Sequence, residues 1–186
     1  MSTTPSLDKE LFSAEEIRTR IDVLADDIAR DYGADDILAV SILKGSFVFT
    51  ADLIRALAAH QVHPLVDFMA LSSYGSSSTS SGKVLLHHEP SLPIKGHRVL
   101  VIDDILDTGL TLQTARQLLI QKGAAEVRTC VLLDKPSRRI APITANYIGF
   151  QVENVFVVGY GLDYNNHYRH LPGLVSLKFE GVPGAT

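Results

Sequence analysis

Five short apolar runs constrain this chain most: Ile37 to Leu43, Val66 to Leu71, Val99 to Ile102, Val127 to Leu133 and Val155 to Val158. They are rich in β-branched residues and continuous rather than alternating. A strand with one wet face alternates apolar with polar residues, so runs like these require cover on both faces. Cover is available between them. Phe47 to His60 and Thr111 to Lys122 carry helical periodicity, the second with Leu112, Ala115, Leu118 and Leu119 on one side and Gly123 as a stop. Ahead of the first run, Ser13 and Glu16 form a capping-box signature, and Ile17, Ile21, Leu24 and Ile28 recur at helical spacing up to Gly33. Strand alternating with helix gives an α/β chain with a mainly parallel central sheet flanked by helices. A length of 186 residues suits one domain, 1–186, with a contiguous core.

Composition excludes several function classes. With 17 Lys and Arg against 21 Asp and Glu, the chain is acidic overall and no broad nucleic-acid surface is expected. Cys130 is the only cysteine, which excludes an internal disulfide and a cysteine-built zinc site; it sits in an apolar run, where a buried thiol is expected. The opening MSTTPSLDKELF has acidic residues and no apolar signal core, and no stretch approaches the ~18 apolar residues of a membrane span. A soluble cytoplasmic protein with no membrane partner is the expectation. One compositional break, SSYGSSSTSSG from Ser72 to Gly82, has almost nothing to bury and reads as a loop of about 72–83, either a spacer or an active-site lid.

Polar groups follow the apolar runs. Lys44, Gly45 and Ser46 come after the first, Asp103, Asp104 and Asp107 after Ile102, Asp134 and Lys135 after Leu133, and Asp163 soon after Val158. In a parallel sheet these positions emerge at the carboxyl ends of the strands, the edge where open α/β sheets bind ligands.

The three aspartates support three readings. Acidic residues after a strand can cap a turn and the next helix, which accounts for one Asp more easily than for three. DDILD also fits the DDxxD pattern of isoprenoid diphosphate synthases, but those enzymes carry it on a long helix in an all-helical fold. In the third reading, Thr108, Gly109, Leu110 and Thr111 lead into a helix whose free N–H groups and dipole favour a phosphate. The carboxylates one turn earlier then face sugar hydroxyls and a hydrated Mg²⁺.

VLVIDDILDTGLT, Val99 to Thr111, resembles the 5-phosphoribosyl-1-diphosphate signature of type I purine/pyrimidine phosphoribosyltransferases over its full length. The likeness to the hypoxanthine-guanine branch extends to LKGSFVF at 43–49, VDFMALSSYG at 66–75, LLDKPSRR at 132–139 and VFVVGYGLDYNNHYRHLP at 155–172. In that branch the acidic pair is often Glu-Asp; here it is Asp103-Asp104. The resemblance implies the type I phosphoribosyltransferase fold, with a small hood formed by terminal segments. It implies transfer of the phosphoribosyl group to N9 of hypoxanthine and guanine, giving IMP or GMP and pyrophosphate, in a homodimer or homotetramer.

It also implies site roles. Asp103, Asp104, Asp107, Thr108, Gly109, Leu110 and Thr111 hold ribose and phosphate, and Asp107 is the general base. Lys44, Gly45 and Arg169 contact the diphosphate, and the Lys44–Gly45 peptide can be cis. Asp103, Asp104 and Asp163 attend Mg²⁺. Ile105, Lys135, Phe156, Val157, Leu162 and Asp163 surround the purine, where a lysine ammonium, being donor only, favours a 6-oxo over a 6-amino group. Ser73 and Tyr74 begin a loop like the family's water-excluding lid. The rivals are a transferase for xanthine or another 6-oxo base and a non-catalytic RNA-binding regulator of the same fold. The latter should show clustered basic residues, which this chain lacks. Arg138 and Arg139 read as a surface or subunit contact, and the histidine pairs, such as His167 and His170, have no third partner for a metal.

Overall fold

The computed structural model describes residues 5–33, 36–73 and 84–179. From the N-terminus the chain runs β1 (Ser6–Phe12), α1 (Ala14–Tyr32), β2 (Ile37–Leu43), α2 (Phe47–Ala59), β3 (Leu65–Ser73), β4 (Val84–His88), β5 (Arg98–Leu106), α3 (Leu110–Gln121), β6 (Glu126–Asp134), β7 (Tyr147–Gln151), β8 (Phe156–Val158) and β9 (Leu174–Lys178). Helix α1 begins at the expected capping box: the Glu16 N–H donates to Ser13 Oγ at 3.3 Å and the Ser13 N–H to the Glu16 carboxylate at 2.8 Å. Its apolar stripe of Ile17, Ile21, Leu24 and Ile28 is buried.

The main sheet has the order β4-β3-β2-β5-β6-β7, parallel except for β4 at one edge. Its central strands are covered on both faces, as their continuous apolar character requires. Ile37, Ala39, Leu100 and Ile102 pack with α1 and α2, whereas Leu38, Val40, Val99 and Val101 pack with α3. The chain therefore leaves β2 over one face toward β3, and leaves β5 over the other face toward β6. The direction of winding reverses between β2 and β5, and at such a point the two exit loops diverge and open a crevice at the carboxyl ends.

Three sequence expectations change. The Val155–Val158 run contributes β8, which pairs antiparallel with β9 in a separate three-stranded sheet, β1-β9-β8. This is the hood of terminal segments, and Asp163 reaches the crevice from there rather than from a parallel strand. A three-residue strand with one half-exposed aromatic, Phe156, carries no periodicity that tells one sheet from another. The last parallel strand is instead β7, whose YIGFQ lacked a continuous apolar run. Gly149 within it is required by close approach, since a Cβ there would lie 2.4 Å from Leu132 O. Finally, β5 runs on to Leu106, so Asp103 and Asp104 lie inside the strand. Pairing with β6 continues through Leu106 opposite Asp134, while pairing with β2 stops at Ile102. Of the Ser-rich segment only Ser72 and Ser73, which end β3, are described; Tyr74 and the rest of the loop fall outside the described residues.

Candidate active site

Where β2 peels away, the β5 edge carries its acidic pair. Asp103 is 5% exposed; its Oδ1 accepts the Asp104 N–H at 3.1 Å, and Asp104 Oδ1 accepts the Ile105 N–H at 2.8 Å. Burial pushes the Asp103 carboxyl well above the usual carboxylate range and the Asp104 charge pushes it further; burial raises Asp104 as well. The Lys44-Gly45 turn faces this pair so closely that a Cβ on Gly45 would lie 1.6 Å from Asp104 Oδ2. The cis peptide of this turn is Leu43–Lys44, one bond earlier than Lys44–Gly45. Behind it, Ser41 Oγ hydrogen-bonds Ser46 Oγ and Thr50 Oγ1, each at 2.7 Å, and all three hydroxyls are buried.

Past Leu106 the chain turns into α3. Gly109 occupies its N-cap with φ of 84°, a left-handed value, and no side chain caps the helix. The first N–H groups of α3, starting with the backbone of Leu110, have no acceptor within the helix. Lys44, Gly45, Asp103, Asp104, Thr108, Gly109 and Thr111 line one crevice of about 640 Å³ at this end of α3.

A second hollow of about 440 Å³ adjoins it under the hood, lined by Lys135, Phe156, Val157 and Leu162, and Asp104, Ile105, Asp107, Arg138 and Asp163 line both. Lys135 is 6% exposed, its Nζ donates to Val155 O beside Phe156, and burial lowers its pKa, with the Asp107 charge opposing. Phe156 turns a half-exposed ring to the hollow and is braced edge-on by Tyr164 at 5.5 Å and Phe179 at 5.8 Å between centroids. At the junction, Arg138 Nε lies 3.0 Å from Asp107 Oδ1, but no hydrogen bond reaches that buried oxygen from the described residues. Asp107 is thus ion-paired to Arg138 where the two cavities meet.

Of the sequence-predicted residues, Arg169 and Leu110 are not in the lining of either hollow. Arg169 is held elsewhere. It pairs with Asp163 at 2.7 Å and donates to Gly161 O, also at 2.7 Å, while Asp163 accepts the Asn166 N–H. Gly161 in turn abuts the Lys44-Gly45 turn, since a Cβ on it would lie 2.3 Å from Gly45 O. Ser73 ends β3, following Ser72, which lines the crevice.

The family model for the phosphoribosyl transferase domain matches residues 9–165. The chain belongs to this family. It is 41% identical to the hypoxanthine-guanine phosphoribosyltransferase of Bacillus subtilis over 92% of this chain and 94% of that protein. Against the same-named protein of Aquifex aeolicus it is also 41% identical, over 88% and 91%. Among solved structures, a hypoxanthine phosphoribosyl transferase of Trypanosoma cruzi matches with a TM-score of 0.87 at 42% identity, over 96% of this chain and 93% of that one.

Sequence reasoning missed several groups in this phosphoribosyltransferase. Of Arg138 and Arg139, read as a surface or subunit contact, Arg138 is exposed and pairs with Asp107, whereas Arg139 turns inward to the buried Asp134. Phe179 and the 154–155 backbone complete the hollow of this family member, and no spacing relates them to Phe156 before β8 and β9 pair. Cys130 is the buried free thiol expected, its pKa raised by burial. Among the described residues no three His, Cys, Asp or Glu side chains are grouped closely enough to hold a metal by themselves, and no described helix is long and apolar enough to cross a membrane.

Proposed function

We propose that this phosphoribosyltransferase acts in purine salvage, transferring the 5-phosphoribosyl group of 5-phosphoribosyl-1-diphosphate to N9 of hypoxanthine or guanine and releasing IMP or GMP and pyrophosphate. The observation that carries the proposal is the position of Asp107, which lines both the crevice at the start of α3 and the purine-sized hollow beneath Phe156. Named relatives of both bacterial lineages support the same reading.

In this mechanism the 5′-phosphate rests on the N–H groups and hydroxyls of Thr108 to Thr111. The bond from C1′ to the diphosphate oxygen breaks, its electron pair leaving with pyrophosphate, and the bond from C1′ to N9 forms. The imidazole proton of the purine passes to Asp107. Lys44 and Gly45 receive the diphosphate, and Arg169 joins them by giving up part of its contact with Asp163. Lys135 donates to the 6-oxo group while keeping Val155 O, which its three N–H donors allow. The Phe156 ring stacks on the base, the Val157 backbone reads its edge, and Ile105 and Leu162 form apolar walls.

Magnesium suits the pair Asp103 and Asp104, with Asp163 across the crevice, because buried adjacent carboxylates favour a hard cation and Mg²⁺ retains water and substrate oxygens in its shell. Bound there, it supplies charge neutralisation of the diphosphate. Assembly as a homodimer or homotetramer is supported by an apolar hollow of about 740 Å³ beside α1 and α2, on which Phe47 is 45% exposed. Incubating the protein with hypoxanthine, 5-phosphoribosyl-1-diphosphate and Mg²⁺, followed by anion-exchange separation, tests the activity. IMP and pyrophosphate in equal amounts are expected, and their absence overturns the proposal.

A further inference from the structure

Arg139 takes no part in the mechanism above, yet its guanidinium is more fully engaged than that of any catalytic candidate. Nε donates to Asp107 O at 3.0 Å, one terminal nitrogen to Ile143 O at 2.8 Å, and the other to Leu106 O at 3.0 Å and to the Asp134 carboxylate. Asp134 and Arg139 are nearly buried, their side chains 9% and 17% exposed. The neighbouring backbone continues the same grip, for the Ile140 and Ala141 N–H groups both donate to Thr108 O at 2.9 Å. Gly109 is packed from behind too: a Cβ on it would lie 2.8 Å from Ile143 Cγ2 and 3.0 Å from Arg139 Cδ.

Three successive carbonyls are thus held: Asp107 O by Arg139, Leu106 O by Arg139 together with the Lys135 N–H at 3.0 Å, and Thr108 O by the backbone that follows Arg139. These peptides are trans. In a trans peptide the N–H points opposite to the C=O, so the N–H groups of Asp107, Thr108 and Gly109 are turned away from these donors, toward the crevice. Successive N–H groups facing one concavity make an anion-binding nest. We infer that Arg139 is the positioning residue of the phosphate turn, holding its carbonyls back so that its N–H groups meet the 5′-phosphate already aligned. A planar guanidinium is needed for the task, because a lysine ammonium cannot meet three carbonyls and a carboxylate spread across one plane.

The inference rests on reading residues 107–111 as the phosphate site, and the test separates the two. Inhibition of the wild-type enzyme by IMP and by inosine is compared first; inosine binding as tightly as IMP overturns the phosphate-site reading itself. With IMP the tighter ligand, Arg139→Lys and Arg139→Met are assayed for both substrates, and folding is checked by thermal melting. The expected result is a KM for 5-phosphoribosyl-1-diphosphate raised about tenfold or more with KM for hypoxanthine within about threefold, the split that a misplaced subsite gives. A merely structural arginine lowers the melting temperature but leaves that ratio unmoved. A donor KM within about twofold of wild type in a folded variant overturns the role of Arg139 while the phosphate site stands. Should the Met variant not fold, the Lys variant decides alone, since it keeps the charge opposite Asp134 and loses only the fork.

Discussion

Asp103, Asp104 and Asp107 are chemically identical side chains in different surroundings: the first two are packed together in β5, and the third is ion-paired to Arg138. Asp107 lines both cavities, so Asp107→Asn should cut kcat roughly 10²- to 10⁴-fold, the usual range for a lost general base, with the donor KM much less affected in initial-rate assays. Asp103 is held above its ordinary pKa by burial. An acid whose folded pKa is raised contributes stability below its unfolded value and loses it as pH rises through the folded value. In neutral solution without Mg²⁺, Asp103→Asn should therefore melt higher than wild type by a few degrees, the shift that ~1 kcal/mol gives at this size, and the advantage should vanish in acid. Loss of activity accompanies it, as expected where a strained charge serves function. Equal melting curves at neutral pH would contradict the account of the pair. Lys135 is the converse. Burial lowers its pKa, so the ammonium is lost at lower pH than in an unfolded chain, and stability rises with pH across that window. Oxopurine affinity, which needs the charge, should fall across the same window.

At the scale of elements, the sequence was legible wherever apolar residues recur at regular spacing, although β3, expected to be covered on both faces, leaves Phe68 exposed on one of them. Helix α1 with its cap, helices α2 and α3, and strands β2, β3, β5 and β6 all follow from apolar spacing. Strands with a polar face were not: Ser6–Phe12 is SLDKELF, and Val84–His88 ends in two histidines. Pairing, not composition, makes these strands, and pairing is long-range. The same limit put β8 in the wrong sheet. Glycines separate architecture from site. Gly149→Ala would force a Cβ against Leu132 O between β6 and β7 and should cost ~2 kcal/mol of stability in denaturant unfolding with little change in KM. Gly45→Ala would instead displace the Asp104 carboxylate, raising donor KM about tenfold or more while melting close to wild type.

Across the whole molecule, the site is a consequence of winding. The reversal between β2 and β5 sets the Lys44-Gly45 turn against Asp103 and Asp104, and the hood carries Phe156 and Val157 over Lys135 from sequence positions that no local signal connects. The motif from Val99 to Thr111 marked residues that the structure brings together along one crevice. It was silent on Arg139 and Phe179, because a buried arginine and a surface arginine read alike until their acceptors are known. The decisive measurement is the initial rate with 5-phosphoribosyl-1-diphosphate and Mg²⁺ for hypoxanthine, guanine, xanthine and adenine in turn. Turnover of hypoxanthine and guanine with kcat/KM for adenine lower by at least about 10³-fold is expected of a site built on a donor-only Lys135; no turnover of any oxopurine, or adenine used as well as hypoxanthine, would contradict it.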